Sequence, residues 1–168
     1  NEIGTIEPIK EIVEICKQKG VLVHTDAVQA MSSLKVNVKE LGVDLMSFSS
    51  HKICGPKGVG VLYIRNGLKM GKLIMGGHQE RTRRGGTTNV PGVVGMAEAL
   101  RLTRETLEED NAHVKMLRDR FIDGVTENIP FIKLNGPREN RLPANADFSF
   151  HYIEEMEDCI RDADLIIC

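Results

Sequence analysis

The sequence predicts an α/β fold, because a helix pattern precedes a buried strand near its start and polar residues cluster where two strands end. Between Pro8, near the expected helix start, and Gly20, a helix stop, apolar residues recur at helical spacing: Ile9, Ile12, Val13 and Cys16. The apolar run Val21–Val23, ending in His24, Thr25 and Asp26, then predicts a buried strand with its polar residues at the carboxyl end. A helix followed by such a strand is half of a βαβ unit, so we expect a sheet with flanking helices.

Two further strands are predicted at Leu45–Phe48 and Gly58–Ile64, and the second ends at an Asn-Gly turn. Open α/β sheets bind ligands at the carboxyl ends of their strands. Asp26 stands at the carboxyl end of the first predicted strand, and the polar cluster Ser49–Lys52 follows the next. Both therefore lie where a functional site is expected.

The second half of the chain changes character. Residues 90–129 again have a helical pattern, long enough for two helices with a bend at the polar stretch Glu108–Asn111. Strand candidates follow at Phe131–Leu134 and Phe148–Tyr152, which favours an α+β unit. We therefore predict a domain boundary near residue 108, with domains at 1–108 and 109–168.

Composition excludes several classes of protein. The 168 residues carry 22 basic and 24 acidic side chains, so we expect no nucleic-acid partner. No apolar stretch approaches the roughly 20 residues needed to cross a bilayer, so we expect no membrane association. The chain has four cysteines, Cys16, Cys54, Cys159 and Cys168, which are far apart and form no C-x-x-C pair. This spacing argues against a zinc site or a disulfide framework and favours the cytoplasm. The chain starts without Met, and we expect it to be part of a longer protein.

The polar residues at the strand ends match what pyridoxal phosphate requires of a protein. A lysine must hold the aldehyde as an imine, a carboxylate must keep the ring nitrogen protonated, and donors must bind the phosphate. Lys52, Asp26, and the pair Ser49 and His51 supply these groups, and Gln29 could donate to the ring oxygen. The sequence thus contains each residue type at a predicted sheet edge.

Each of these residues also has a simpler interpretation. Lys52 could be a solvated charge in a Gly/Pro-rich loop, and Asp26 could cap the next short helix. A structural role is the preferred interpretation for His24, and packing as a small apolar residue is preferred for Cys54. The arginines of the glycine-rich loop are more often solvated than functional: Arg81, Arg83 and Arg84. A phosphate-binding P-loop is excluded because its motif is absent.

Three motifs together resemble the NifS-type cysteine desulfurases, which are pyridoxal-phosphate enzymes of fold type I in the class V aminotransferase family. They are HTDAVQA at 24–30, SFSSHKICGPKGVG at 47–60 and GGHQERTRRGGTTN at 76–89. They occur in the family's order and spacing, within a resemblance that runs from Asn1 to about Tyr152. The resemblance implies part of the large cofactor-binding domain, a mainly parallel sheet with flanking helices, plus part of a small α+β domain.

The resemblance also implies roles for individual residues. Lys52 would form the imine with the cofactor, and Asp26 would pair with the pyridine nitrogen. Gln29 and Asn1 would contact the ring oxygen. The remaining implied contacts are to phosphate: Ser49 and His51 within the subunit, and Thr87 toward the neighbouring subunit of a homodimer.

The activity implied by the resemblance is removal of sulfur from L-cysteine. The products would be L-alanine and an enzyme persulfide, which passes sulfur to an iron–sulfur scaffold or another acceptor. None of the four cysteines matches the family's nucleophilic cysteine, and the substrate-carboxylate arginine is also absent from this stretch. The alternatives are another class V enzyme, such as a selenocysteine lyase or an aminotransferase, and a cofactor-free fragment without catalytic activity.

Overall fold

The computed structural model describes residues 1–151, which divide into two compact units. One unit is Glu7–Asn111, and the other combines Asn1–Ile6 with the chain from Ala112 onward. The first six residues belong with the later unit, and the predicted domains 1–108 and 109–168 stay predictions. The assignment of the two units to a large cofactor-binding domain and a small domain stays a prediction.

The unit Glu7–Asn111 contains a three-stranded sheet with helices before, between and after its strands, which confirms the α/β class. Its elements in chain order are α1 (Ile9–Gln18), β1 (His24–Asp26), α2 (Val38–Leu41), β2 (Leu45–Ser49), a 3₁₀ turn (Ser50–Ile53), β3 (Gly60–Ile64), α3 (Gln79–Thr82) and the start of α4 (Val90–Asn128). Strands β1 and β2 are parallel, whereas β2 and β3 are antiparallel. A parallel crossover needs a dozen or more residues, and the connection from β2 to β3 is shorter.

The first strand begins later than the sequence predicts. Val21 and Leu22 are each 54% exposed, and only Val23 of the apolar run is buried. The prediction of a buried strand is wrong for β1 itself, whose residues are exposed or half-buried. The Val21 N–H donates to the Cys16 carbonyl at 2.9 Å, so this residue still belongs to the end of α1. The Val23 carbonyl accepts the backbone N–H groups of Asp44 and Leu45. Regular pairing of the two strands starts one residue further on, at His24.

The core of this unit joins α1, β2 and the residues on either side of β1, and it extends to the 3₁₀ turn. It is formed by seven buried side chains: Val13, Val23, Ala27, Met31, Val43, Met46 and Ile53. Val13 comes from the apolar face of α1, and Met46 is the fully buried residue of β2. Because Ile53 belongs to the same cluster, burial of apolar surface fixes the base of the turn that carries Lys52.

The long helix α4 continues through the stretch at which we predicted a bend. It is one helix of 39 residues, and the prediction of two helices is wrong. The polar stretch Glu108–Asn111 contains neither Gly nor Pro, so nothing in it breaks the helical hydrogen bonds. The Asn111 side chain instead donates to the Ser33 carbonyl at 2.6 Å, within the same unit.

The second unit contains a two-stranded antiparallel sheet after α4. Its strands are β4 (Ile132–Leu134) and β5 (Phe148–Phe150), which are shorter than predicted. Tyr152, at the predicted end of the last strand, lies outside the described residues, as do Cys159 and Cys168. Within residues 1–151 no helix is both long enough and apolar enough to cross a membrane.

Candidate cofactor-binding site

The parallel pairing of β1 and β2 brings their carboxyl ends to the same edge of the sheet. Asp26 is the Cα partner of Ser47, and the Ala27 N–H donates to the Ser47 carbonyl at 2.8 Å. The strand β2 then ends at Ser49, and the 3₁₀ turn with Lys52 follows immediately. Asp26 is thus the last residue of β1, and the polar cluster Ser49–Lys52 begins at the last residue of the adjacent β2, at the same sheet edge.

The turn that carries Lys52 is closed by backbone hydrogen bonds. The Ser50 N–H donates to the Val59 carbonyl at 3.0 Å, and the Gly55 N–H donates to the Ser50 carbonyl at 3.0 Å. Cys54 ends the turn in the left-handed region, with φ 60°, and its N–H also donates to Ser50. The side chains of His51 and Lys52 are exposed on this closed turn.

Asp26 caps the turn that follows β1, not a helix as its simpler interpretation predicted, because the next helix begins only at Val38. Its Oδ1 accepts the Val28 N–H at 2.7 Å, which fixes the start of the turn after β1. Its second oxygen, Oδ2, has no hydrogen-bond partner in the described part of the chain. One carboxylate can therefore cap the turn and still accept a proton from a ligand. Gln29 lies half-buried in the same turn.

The unused polar groups at this edge fit pyridoxal phosphate. Among residues 1–151, the side chains of Ser49, His51, Lys52 and Gln29 make no hydrogen bond or ion pair. They comprise an amine, two potential phosphate contacts and an amide, in addition to the free oxygen of Asp26. This donor set matches an aldehyde, a phosphate, a ring oxygen and a pyridinium.

Two predicted site residues belong to neither of these strand-end segments of the chain. Asn1 belongs to the other unit, where it is exposed and its amide donates to the Glu2 carboxylate at 2.9 Å. Thr87 is exposed in the loop before α4. The roles predicted for both residues, and for the five at the sheet edge, stay predictions.

A buried carboxylate that the sequence analysis missed fixes the amino ends of β1 and β2. Asp44 Oδ2 accepts the Val23 N–H at 2.8 Å, and Oδ1 accepts from Arg65 Nε at 2.6 Å. The Val23 hydrogen bond, followed by Arg65, holds the pKa of the Asp44 carboxyl below its usual range against the opposing effect of burial. The signal in the sequence for this buried carboxylate was a single Asp directly before the apolar run Leu45–Phe48.

The glycine- and arginine-rich loop has an unusual backbone. Glu80, Arg81 and Thr82 all have positive φ, at 49°, 56° and 68°. Arg84 uses its guanidinium to bind its own loop, donating to the Gly85 and Gly86 carbonyls. Such runs of left-handed residues are rare because Cβ crowds the following carbonyl.

Of the two residues that we did not assign to catalysis, His24 has a structural contact and Cys54 does not. His24 Nε2 lies 3.1 Å from Ser47 Oγ across the parallel pair. Cys54 is exposed rather than packed, so the predicted packing role is wrong, because the left-handed end of the turn holds it at the surface. In the described residues no group of three or more His, Cys, Asp or Glu side chains could hold a metal ion.

The fold and this edge together define an α/β domain with a strand-end lysine turn beside a strand-end carboxylate. The same fold occurs in a solved NifS-like protein, with a TM-score of 0.85 and 42% identity over 90% of this chain and 42% of that one. DndA from Streptomyces lividans matches with a TM-score of 0.79 and 27% identity, over 95% of this chain and 46% of that one. Residues 1–161 match the aminotransferase class-V family model, and the chain belongs to that family.

Curated relatives are similar over most of this chain. Cysteine desulfurase IscS of Clostridium botulinum is 51% identical over 167 residues, covering 98% of this chain and 42% of the relative. Cysteine desulfurase IscS of Dictyoglomus turgidum is 53% identical over 154 residues, covering 92% of this chain and 39% of the relative. The chain therefore spans about two fifths of the length of these relatives.

Proposed function

We propose that this chain provides the pyridoxal-phosphate site of a cysteine desulfurase. The observation that carries the proposal is the placement of Asp26 and the Lys52 turn at one edge of a parallel strand pair. Further support comes from its similarity to relatives named cysteine desulfurase over nearly its whole length. In this proposal the unit Glu7–Asn111 is part of the large cofactor-binding domain.

The bound cofactor would supply an electron sink for bond cleavage at the substrate's carbon atoms. The Lys52 amine would hold the cofactor's aldehyde carbon covalently, from a turn whose base is fixed in the core by Ile53. The free oxygen of Asp26 would hold the proton of the ring nitrogen while Oδ1 keeps its bond to Val28. Gln29 and Asn1 would orient the ring oxygen.

The phosphate would be bound by Ser49, the last residue of β2, and by His51, in the 3₁₀ turn that follows. Thr87, exposed before α4, would contact the phosphate of a second copy, so the proposal includes a homodimer. Hydroxyl and imidazole donors suit a phosphate because bonds between such donors and an anion are stronger than neutral ones.

The whole protein would convert L-cysteine to L-alanine. An enzyme thiolate would form a bond to the substrate's sulfur as the carbon–sulfur bond breaks, and the carbon would keep the electron pair and take up a proton to give alanine. The resulting persulfide would supply an iron–sulfur scaffold or another acceptor. None of the four cysteines here matches the family's nucleophile, so this step needs residues beyond this chain. We place the protein in the cytoplasm, as the unpaired cysteine spacing favours.

Reductive trapping tests the cofactor site directly. The purified protein is incubated with pyridoxal phosphate, reduced with borohydride and digested, and the labelled peptide is sequenced. We expect the label on Lys52 and its loss in Lys52→Ala. Lys57→Ala is the matched control, because this lysine is exposed in the same loop. A label on another lysine, or none, would refute the assignment.

The reaction itself is tested by comparing products. Release of sulfide and alanine from L-cysteine supports a desulfurase. Transfer of the amino group to a keto acid instead indicates an aminotransferase, and a strong preference for selenocysteine indicates a lyase. If no cofactor binds, the alternative hypothesis of a cofactor-free fragment without catalytic activity is favoured.

A further inference from the structure

The loop that carries Lys52, residues 50–59, is fixed at its base but not by Lys52 itself. The Ser50 N–H reaches the Val59 carbonyl, and the Gly55 N–H reaches the Ser50 carbonyl, each at 3.0 Å. The Lys52 side chain is exposed and makes no hydrogen bond among the described residues. The position of its amine therefore depends on what holds the loop.

One face of α4 holds the far side of this loop. The small residues Gly92, Gly95 and Ala99 recur at i, i+3 and i+7, which places them on one helix face. A Cβ on Gly92 would lie 2.5 Å from Val59 Cγ2, and a Cβ on Gly95 would lie 2.8 Å from Pro56 Cγ. Neither glycine has space for a methyl group, so the loop packs directly on the helix backbone.

The third small residue completes the contact at the start of the loop. Ala99 Cβ lies 3.2 Å from the position that a Cβ on Gly55 would occupy, and that position is 2.2 Å from Ser50 Oγ. Ser50 is fully buried, and its hydroxyl has no partner in the described residues. Ser50 thus contributes its size to this packing rather than a hydrogen bond.

We infer that the small-residue face of α4, formed by Gly92, Gly95 and Ala99, is a positioning element that sets the place of the Lys52 amine. This inference rests on the proposed function. The residues act through packing on 55–59 and touch neither cofactor nor substrate. An added methyl displaces the loop from the helix, and Lys52 moves with it.

The test measures cofactor attachment in Gly95→Ala. We expect roughly tenfold weaker apparent affinity for pyridoxal phosphate, and a shift of about one unit in the pH midpoint of the visible absorption of the lysine–cofactor bond. Gly124→Ala is the matched control, since this glycine is on the same helix and nothing lies within 4 Å of its Cβ position. We expect the control to keep both values.

Three outcomes decide the question. If Gly95→Ala folds and keeps the wild-type affinity and pH midpoint, the inference is wrong even when its melting temperature falls. If the variant does not fold, Val59→Ala is measured instead, because it removes a contact with Gly92 without crowding; unchanged values again overturn the inference. If wild type itself binds no cofactor at Lys52, the proposed function fails rather than the positioning role.

Discussion

Asp44 Oδ2 accepts the backbone N–H of Val23 at 2.8 Å, so one buried carboxylate joins the segment before β1 to the segment before β2. Because this hydrogen bond and Arg65 lower the folded-state pKa of Asp44, its contribution to stability is fully present above the unfolded pKa, about 3.9. The contribution is lost as the pH falls through the folded pKa. We expect Asp44→Ala to lower the free energy of unfolding at pH 7 by about 2–3 kcal/mol.

Urea unfolding at pH 7 and near pH 3 checks this prediction. The difference between wild type and Asp44→Ala should shrink at the lower pH. Asp123→Asn is the control, since Asp123 also pairs with an arginine but is exposed; we expect it to change stability less. An equal difference at both pH values would show that Asp44 acts through shape alone.

Replacing Ser50 should separate its size from its hydroxyl. Because the buried Oγ has no partner in the described residues, Ser50→Ala should raise the free energy of unfolding by about 1 kcal/mol. Ser50→Val adds a methyl beside Gly55 and should cost about 1–3 kcal/mol. Chemical denaturation of both variants measures these changes; destabilisation by alanine would mean that the hydroxyl bonds to water or to a ligand.

Asp26 offers a graded test of the proposed ring contact. Asp26→Asn keeps an acceptor for the Val28 N–H but loses the charge, so we expect roughly tenfold weaker binding of pyridoxal phosphate. Asp26→Ala loses both and should bind more weakly still. Absorbance titration gives the affinities, with Asp110→Asn as a control on exposed helix surface. Equal affinity of wild type and Asp26→Asn would leave only the capping role.

Arg141 holds together the unit formed by Asn1–Ile6 and the later chain. It is buried, and its guanidinium donates to four acceptors: the carbonyls of Ile3, Pro137 and Asn135, and Asn145 Oδ1. Burial, and then the charge of Arg118, lower the Arg141 pKa, yet arginine stays protonated in proteins. A lysine reaches fewer of these acceptors, so Arg141→Lys should cost about 2–4 kcal/mol.

Thermal or urea unfolding measures that loss. Arg120→Lys is the matched control, because Arg120 is exposed, and changes at such positions are usually within about 0.5 kcal/mol. Similar values for the two variants would show that the four hydrogen bonds of Arg141 add nothing beyond its charge.

Local patterns predicted the features that depend on few neighbours. The helical spacing before Gly20 gave α1, and polar residues after apolar runs located Asp26 and the Lys52 turn at a sheet edge. The features that could not be predicted depend on which other residues a segment packs against or hydrogen-bonds to. Val21 and Leu22 are as apolar as Val23, and only the hydrogen bond to the end of α1 shows that the strand starts later.

The same reason explains why the packing around the Lys52 loop was missed. Gly92 and Gly95 look like weak points in a helix, since glycine is a poor helix former. The structure shows why the two positions need glycine: Val59 packs against Gly92, and Pro56 packs against Gly95. Likewise, Ser50 lies in the polar motif SSHK, and no local pattern indicates that it is buried while its neighbours His51 and Lys52 are exposed.

The antiparallel pairing of β2 with β3 has a consequence for the order of folding. The loop 50–59 closes a shorter stretch of chain than the segment from β1 to β2, so forming the hairpin costs less loop-closure entropy. We expect the turn with Lys52 to be assembled in the folding nucleus, and Asp26 to be added when β1 pairs. Higher φ-values for substitutions at Met46 and Tyr63 than at Val23 would support this order, and the reverse would refute it. The lysine turn would then acquire its shape before its partner carboxylate reaches the same edge of the sheet.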